Sequence, residues 1–341
     1  MTIQQSVRAA ERLARQQYQA AVRHQRYVAQ QFREAQKRQA AAVKHFEKEA
    51  AAHDVAAFEA YLASLVSIHR EGLTPVDWTA VARSRPPAAP QPTRAREISA
   101  RAALDQYAPG WIDRTFGGAK RRVSQLEEDL QRALEQDAQD FHAAHQQYLQ
   151  AHAAWEKNRR DAERVLAGDP AAYGGVLAAW NPPSVLEPYS ISARLVSVDG
   201  NVAEYGGSAD FDASVPTEEI KLTKAGNLSR KQMAVGKRWD LCQDLLCSAT
   251  LRLAVDTFAL VPVSRVIINL GGRSLNSATG HWEETCWLAA HITRRDLFGI
   301  NLHGIDPSDS MANFQVRMKF RKTKGFAPVD PITRDDQWVT T

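Results

Sequence analysis

The sequence predicts an α+β protein: a long N-terminal antiparallel coiled-coil hairpin, followed by a small α+β domain with an antiparallel sheet and one long helix. Three observations carry this expectation. Residues 2–71 are rich in Gln, Ala and Arg, with apolar residues returning at alternating steps of three and four, the spacing of a helix that packs lengthwise on another. A second run of that kind occupies about 119–167. Beyond residue 190, short alternating segments bounded by turn residues surround a single helical stretch at 229–261. The expected layout is a helical hairpin over 1–168 with a Pro-rich connection at about 73–118, a linker at 169–189, the α+β domain at 190–325 and a C-terminal tail at 326–341.

The net charge of +4 on 341 residues is modest, but its distribution is uneven. Residues 1–45 hold nine Lys or Arg against Glu11 and Glu34, giving +7. Residues 125–141 hold six acids against Arg132, giving −5. Cys242, Cys247 and Cys286 are too scattered for a disulfide framework or a CxxC metal site, which fits a reducing compartment and small buried apolar side chains. The N-terminus has no apolar signal core and no stretch approaches the roughly 20 apolar residues of a membrane span, so a cytoplasmic protein without a membrane partner is expected.

In the first helix the seam register runs from Tyr18 through Ala21, Gln25, Val28, Phe32, Ala35, Gln39 and Ala42 to Phe46. It slips near residues 50–54, then resumes through Val55, Phe58, Leu62 and Leu65. Gly72, Thr74 and Pro75 end it. RSRPPAAPQPTR cannot continue a helix and reads as extended and partly mobile. Tyr107, Pro109, Trp111 and Phe116 are too aromatic for a free linker and are expected at the hairpin tip. The second helix carries Leu126, Leu130, Phe141, Tyr148 and Trp155 on its seam. Residues 168–190, mixing Gly, Pro and aromatics, mark the boundary with the next domain. Strands follow at Ile191–Val198, from Val202, at Glu219–Thr223, at Ser264–Gly272 and at Thr285–Thr293, with short helices at Arg294–Gly299 and from Asp306, where Asp306 or Ser308 is the N-cap.

Chemistry-bearing patterns are few. Glu219-Ile220-Lys221 is an ExK triplet with Asp210 or Asp212 upstream, the residue types with which a Mg²⁺-dependent nuclease holds its metal and steadies an attacking water. The bland reading is alternating charge on a solvated strand. GGAKRR at Gly117–Arg122 lacks the spacing of a phosphate loop and reads as a helix start. His142, His145 and His152 share related helical faces, but nothing completes a metal shell, so no metal or other cofactor is expected. Cys286 with His281 or His291 is better read as structural than as a nucleophile pair. For nucleic acid the strongest signal is Arg317, Lys319, Arg321, Lys322 and Lys324, five cations in eight residues, against the plainer reading of a solvated basic helix end.

RVIINLGG from Arg265 and TCWLAAHITRRDLFGINLHGIDP from Thr285 to Pro307 resemble segments of a little-studied, mainly actinobacterial family. In that family a coiled coil precedes this domain, and an Mrr-type restriction-endonuclease domain often follows. Cys286, Thr293, Arg294, Phe298, Asn301, Leu302, Asp306 and Pro307 fall at the family's spacing. These 341 residues leave no room for the nuclease domain, so cleavage is not expected from the resemblance. The resemblance implies a role beside DNA-directed or anti-phage machinery. The leading expectation is a non-enzymatic, homo-oligomeric scaffold or adaptor that meets a protein partner, such as a defence-system subunit, through its coiled coil. A DNA-binding subunit using the basic cluster, and less so a nuclease using Asp212, Glu219 and Lys221, are the alternatives.

Overall fold

The computed structural model describes residues 3–110, 118–276 and 278–336, with α1 side chains described from residue 22 onward. The predicted Tyr18 seam side chain and Trp111, Phe116 and Gly117 lie outside the described residues. The helical part comprises α1 (Ile3–Leu65), α2 (Trp78–Ala82), α3 (Ala95–Asp105), α4 (Gly118–Leu166) and α5 (Pro170–Trp180). The rest carries β1 (Ile191–Val198), β2 (Val202–Ala209), α6 (Phe211–Ser214), β3 (Glu218–Leu222), β4 (Leu228–Gln232), α7 (Val235–Leu260), β5 (Arg265–Leu275), β6 (Trp282–Thr293), α8 (Arg294–Phe298), α9 (Pro307–Ser310), β7 (Gln315–Arg321) and β8 (Gly325–Ala327). This is the α+β composition expected.

The hairpin differs from expectation. Among the described residues, α1 and α4 do not pack lengthwise on each other; α4 packs instead along α2 and α3. The expected connection supplies the partner. Trp155 of α4 donates its indole N–H to Ser84 O at 3.1 Å, just beyond α2. At the other end of the Pro-rich stretch, Asp137 accepts from Glu97 N at 3.0 Å and from Arg96, which also reaches Asp140 at 2.5 Å. From residue 155 to residues 137–140 is about 25 Å of helix, and the chain from Ser84 to Arg94, which would reach about 31 Å fully extended, covers it with slack. Prolines that forbid a helix thus favour a strap pinned at both ends. Leu126 and Ala133 are buried beneath α3.

Among the described side chains of α1, those from residue 51 onward are held. Ala51 and Val55 are buried, Tyr61 Oη donates to Ser214 O at 2.5 Å, and Leu65 enters the core. Helix α1 ends at Leu65, six residues before the predicted limit, because a 3-10 turn at Ile68–Arg70 docks on α7. One line of α7 polar side chains makes that dock. Ser248 Oγ meets His69 N and Nδ1 at 3.1 and 2.8 Å, Arg252 donates to Ile68 O at 3.1 Å, and Asp256 accepts from Leu73 N at 2.7 Å. Arg252 and Asp256 pair at 2.7 Å, both buried. Gly72 is required there: a Cβ would collide with the Val255 side chain.

The sheet is mixed rather than antiparallel. Six strands run in the order β1-β2-β5-β6-β7-β8, and β2 and β5 are parallel, joined by a crossover containing α7. Parallel neighbours need such a crossover, and the sequence supplies the helix without announcing strand direction. The predicted third strand, Glu219–Thr223, pairs with β4 in a separate two-stranded sheet that packs on α1, and the predicted start of the long helix at 229 belongs to β4. Helix α7 covers one face of the main sheet, with Leu245, Leu246, Leu253 and Val266, Ile268, Leu288, Ala290 among the core side chains. The expected linker is folded: Tyr173, Leu177 and Leu186 belong to the same core. The expected tail crosses the opposite sheet face, where Ile332 is fully buried and pairs through its backbone with the Asn269 side chain, and Arg334 pairs with Asp199 and Glu204. Asp306 caps α9, accepting from Ser308 N and Asp309 N, as the sequence suggested.

Candidate functional site

Two features stand out once the fold is laid down: a bare helical arm and an aromatic cleft. Residues 23–50 of α1 are exposed on every side, Glu34 apart. Seam residues Val28, Phe32 and Phe46 are 50, 63 and 72 % exposed, and Val43 beside them 51 %. A lone helix does not ordinarily leave such side chains in water, since each gives up roughly 1.5–3 kcal/mol of burial. The other seam residues are accounted for within the chain. Leu62 and Leu65 meet the globular core and Phe58 is half-buried, while Leu126, Leu130, Phe141, Tyr148 and Trp155 lie half-buried or buried along α4. Phe141, His145, Tyr148, His152 and Trp155 form a ladder of ring contacts, 5.3–6.1 Å between successive centroids, capped by Arg159 over Trp155. His145 and His152 thus join the ring ladder, His152 half-buried and His145, like His142, exposed.

The cleft, of about 830 Å³, opens at the carboxyl ends of β2 and β5, beside the start of α7. Brackets of parallel strands commonly leave such a crevice. Its walls are aromatic: Phe211, Trp287 and Phe326 stack with centroids 5.4–5.7 Å apart, and Trp239 meets Phe326 edge-on. Gly272 keeps the wall close, because a Cβ there would strike the Trp287 indole and lie 2.8 Å from Ala209 O. Trp287 Nε1 donates to Ser274 Oγ at 2.9 Å. Arg273 lies over the exposed Trp282 ring, and Arg238 is tied to Asp212 at 2.7 Å and to Phe211 O. Flat apolar walls with charged groups at the rim suit a planar apolar group. Sequence reading missed this cleft because its residues come from six separated stretches. The signal available was Gly271-Gly272 inside a strand pattern, which marks close backbone approach.

The nuclease candidates are engaged in ion pairs. Asp212 pairs with Arg238, while Glu219 pairs with Lys237 at 2.7 Å and Lys221 at 3.1 Å, which hold its carboxyl below the ordinary range. Among the described residues no group of three or more His, Cys, Asp or Glu could hold a metal ion. Cys286 is half-buried on β6, and burial pushes its thiol up to about 11; Cys242 and Cys247 are buried outright. The basic cluster lies on β7 and the β7–β8 turn, not on a helix end. Arg317 is taken by Asp336 and Lys322 by Asp240, whereas Lys319, Arg321 and Lys324 are exposed and make no ion pair among the described residues. No helix among the described residues is long and apolar enough to cross a membrane.

In comparison with known proteins, no protein-family model, no curated protein and no solved structure matches this chain.

Proposed function

We propose that this protein is a scaffold or adaptor that assembles through α1, pairing the bare seam of one chain with a helix of another. The supporting observation is the exposure of Val28, Phe32 and Phe46 at seam spacing on a helix that finds no lengthwise partner among the described residues of its own chain. The coiled coil of the sequence reading is thereby an interaction between chains, and the hairpin within the chain is the separate one made by α2, α3 and α4. In the setting implied by the resemblance, the assembly works beside DNA-directed or anti-phage machinery, with a second subunit of that machinery as protein partner. Replacing Val28 and Phe32 together with Asp places two charges in the seam. The expected outcome is a fall to monomer mass in light scattering with the far-ultraviolet spectrum of the globular domain retained; an unchanged mass, or a wild-type monomer at tens of micromolar, overturns the reading. Binding of nucleic acid through Lys319, Arg321 and Lys324 is the second reading, favoured by their exposure without ion-pair partners.

A further inference from the structure

The same arm carries a second stripe that the seam does not use. Arg23, Arg26, Arg33, Lys37 and Lys44 follow one another at steps of three, seven, four and seven. At about 100° per residue these steps keep all five within a sector of about 80°. Val28, Phe32, Val43 and Phe46 fall within about 60° of each other, and the two sectors are centred roughly 150° apart. Pairing through the seam therefore leaves the cationic stripe facing outward, away from the partner helix. All five cations are exposed and none makes an ion pair among the described residues. Between residues 23 and 46 the acid is Glu34, which accepts from Gln30 at 3.1 Å.

We infer that this outer stripe of α1 is a docking surface for the phosphate backbone of duplex nucleic acid. Five cations over 21 residues form a straight ridge about 32 Å long, close to the roughly 34 Å of one turn of duplex. Three of them are Arg, whose guanidinium forks match phosphate oxygens. No residue of the stripe is shaped to read a base edge, so binding is sequence-independent and dominated by release of counterions. An acidic protein surface would need its carboxylates at the same irregular steps. A duplex carries one negative charge per roughly 1.7 Å of its axis and repeats along its length, so the ridge finds phosphates in many registers.

The test is a titration of a fluorescent 30-base-pair duplex by the full chain at several salt concentrations, read by anisotropy, beside two variants. The first, Arg26→Gln with Arg33→Gln and Lys37→Gln, removes charge while keeping good helix formers and leaving the seam intact. The second, Lys319→Gln with Arg321→Gln and Lys324→Gln, removes the other basic patch. With about four phosphate contacts, wild-type affinity falls about a hundredfold between 50 and 200 mM salt. The α1 variant is expected to lose most of that affinity and flatten the salt slope by about three, at unchanged mass in light scattering. An α1 variant that binds like wild type, loss in the second variant alone, or no wild-type binding at 50 mM salt overturns the inference. Mass and binding are separate readouts, so failure of this stripe and failure of the seam are told apart.

Discussion

Buried ionisable side chains are scarce in this molecule, and most sit where the arm meets the domain. Arg252 and Asp256 are removed from water together and saturate each other and two backbone groups, Ile68 O and Leu73 N. Asp256→Ala strands a guanidinium and an N–H, and a loss of about 3–5 kcal/mol is expected in denaturant unfolding. The double change of Arg252 and Asp256 to Ala should cost less than the sum of the single ones, because no charge is then left alone. His69, one turn away, is buried, and burial, aided by Arg70, lowers its pKa below the ordinary 6.5. The folded state then binds fewer protons than the unfolded one, so its contribution is complete above about 6.5 and is lost as pH falls toward the folded value. His291 on β6 is shifted the same way by burial. Unfolding free energy should decline on acidification from about pH 7 to pH 5, with a shallower decline in His69→Gln; equal slopes would remove His69 as a cause.

At the scale of elements, the strap of residues 85–94 is the most informative. It looked like a loose linker because proline content specifies only what a segment cannot be. What fixes it is tertiary: an indole on α4 at one end and a carboxylate with two donors at the other. Trp155→Phe deletes the indole N–H, and trypsin should then cut faster at Arg83 and Arg94, both exposed and neither followed by Pro, than in wild type. Cleavage at wild-type rate would show that the anchor at Asp137 suffices. The same contrast explains what the sequence revealed. Helices α1, α4 and α7 and strands β1, β2, β5 and β6 were legible because their periods repeat over many residues. Strand direction, the β3–β4 sheet and the partner of α4 were not, since pairing depends on contacts between distant segments and leaves no period. The seam of α1 was readable residue by residue, but its exposure among the described residues was not. The cleft was opaque for the same reason, its walls being drawn from Phe211, Trp239, Gly272, Trp287 and Phe326.

For the whole molecule, the sheet with α7 is one body to which two helical limbs are fixed. The limb of α2, α3 and α4 closes on itself; the other limb, α1, is closed over residues 51–65 and open over residues 23–50. This division separates the surfaces that maintain the fold from those available to other molecules. It predicts that seam and stripe substitutions between residues 23 and 46 leave the thermal transition of the globular body nearly unmoved, within about 0.5 kcal/mol at low protein concentration. A large shift would mean that the arm helps to hold the body together.

The dock between the chain at 66–78 and α7 has a mechanical meaning as well. Trp78 Nε1 to Leu260 O at 2.7 Å and Val76 N to Ala259 O at 2.9 Å extend it, so the arm enters the body without a swivel. Rotation about the arm axis is then handed to the sheet, and the direction in which the cleft faces is indexed to the phase of α1. Adding a single residue to the bare part of the helix would turn everything beyond it by about 100° relative to the cleft, while adding seven would nearly restore the original bearing about 10 Å farther out.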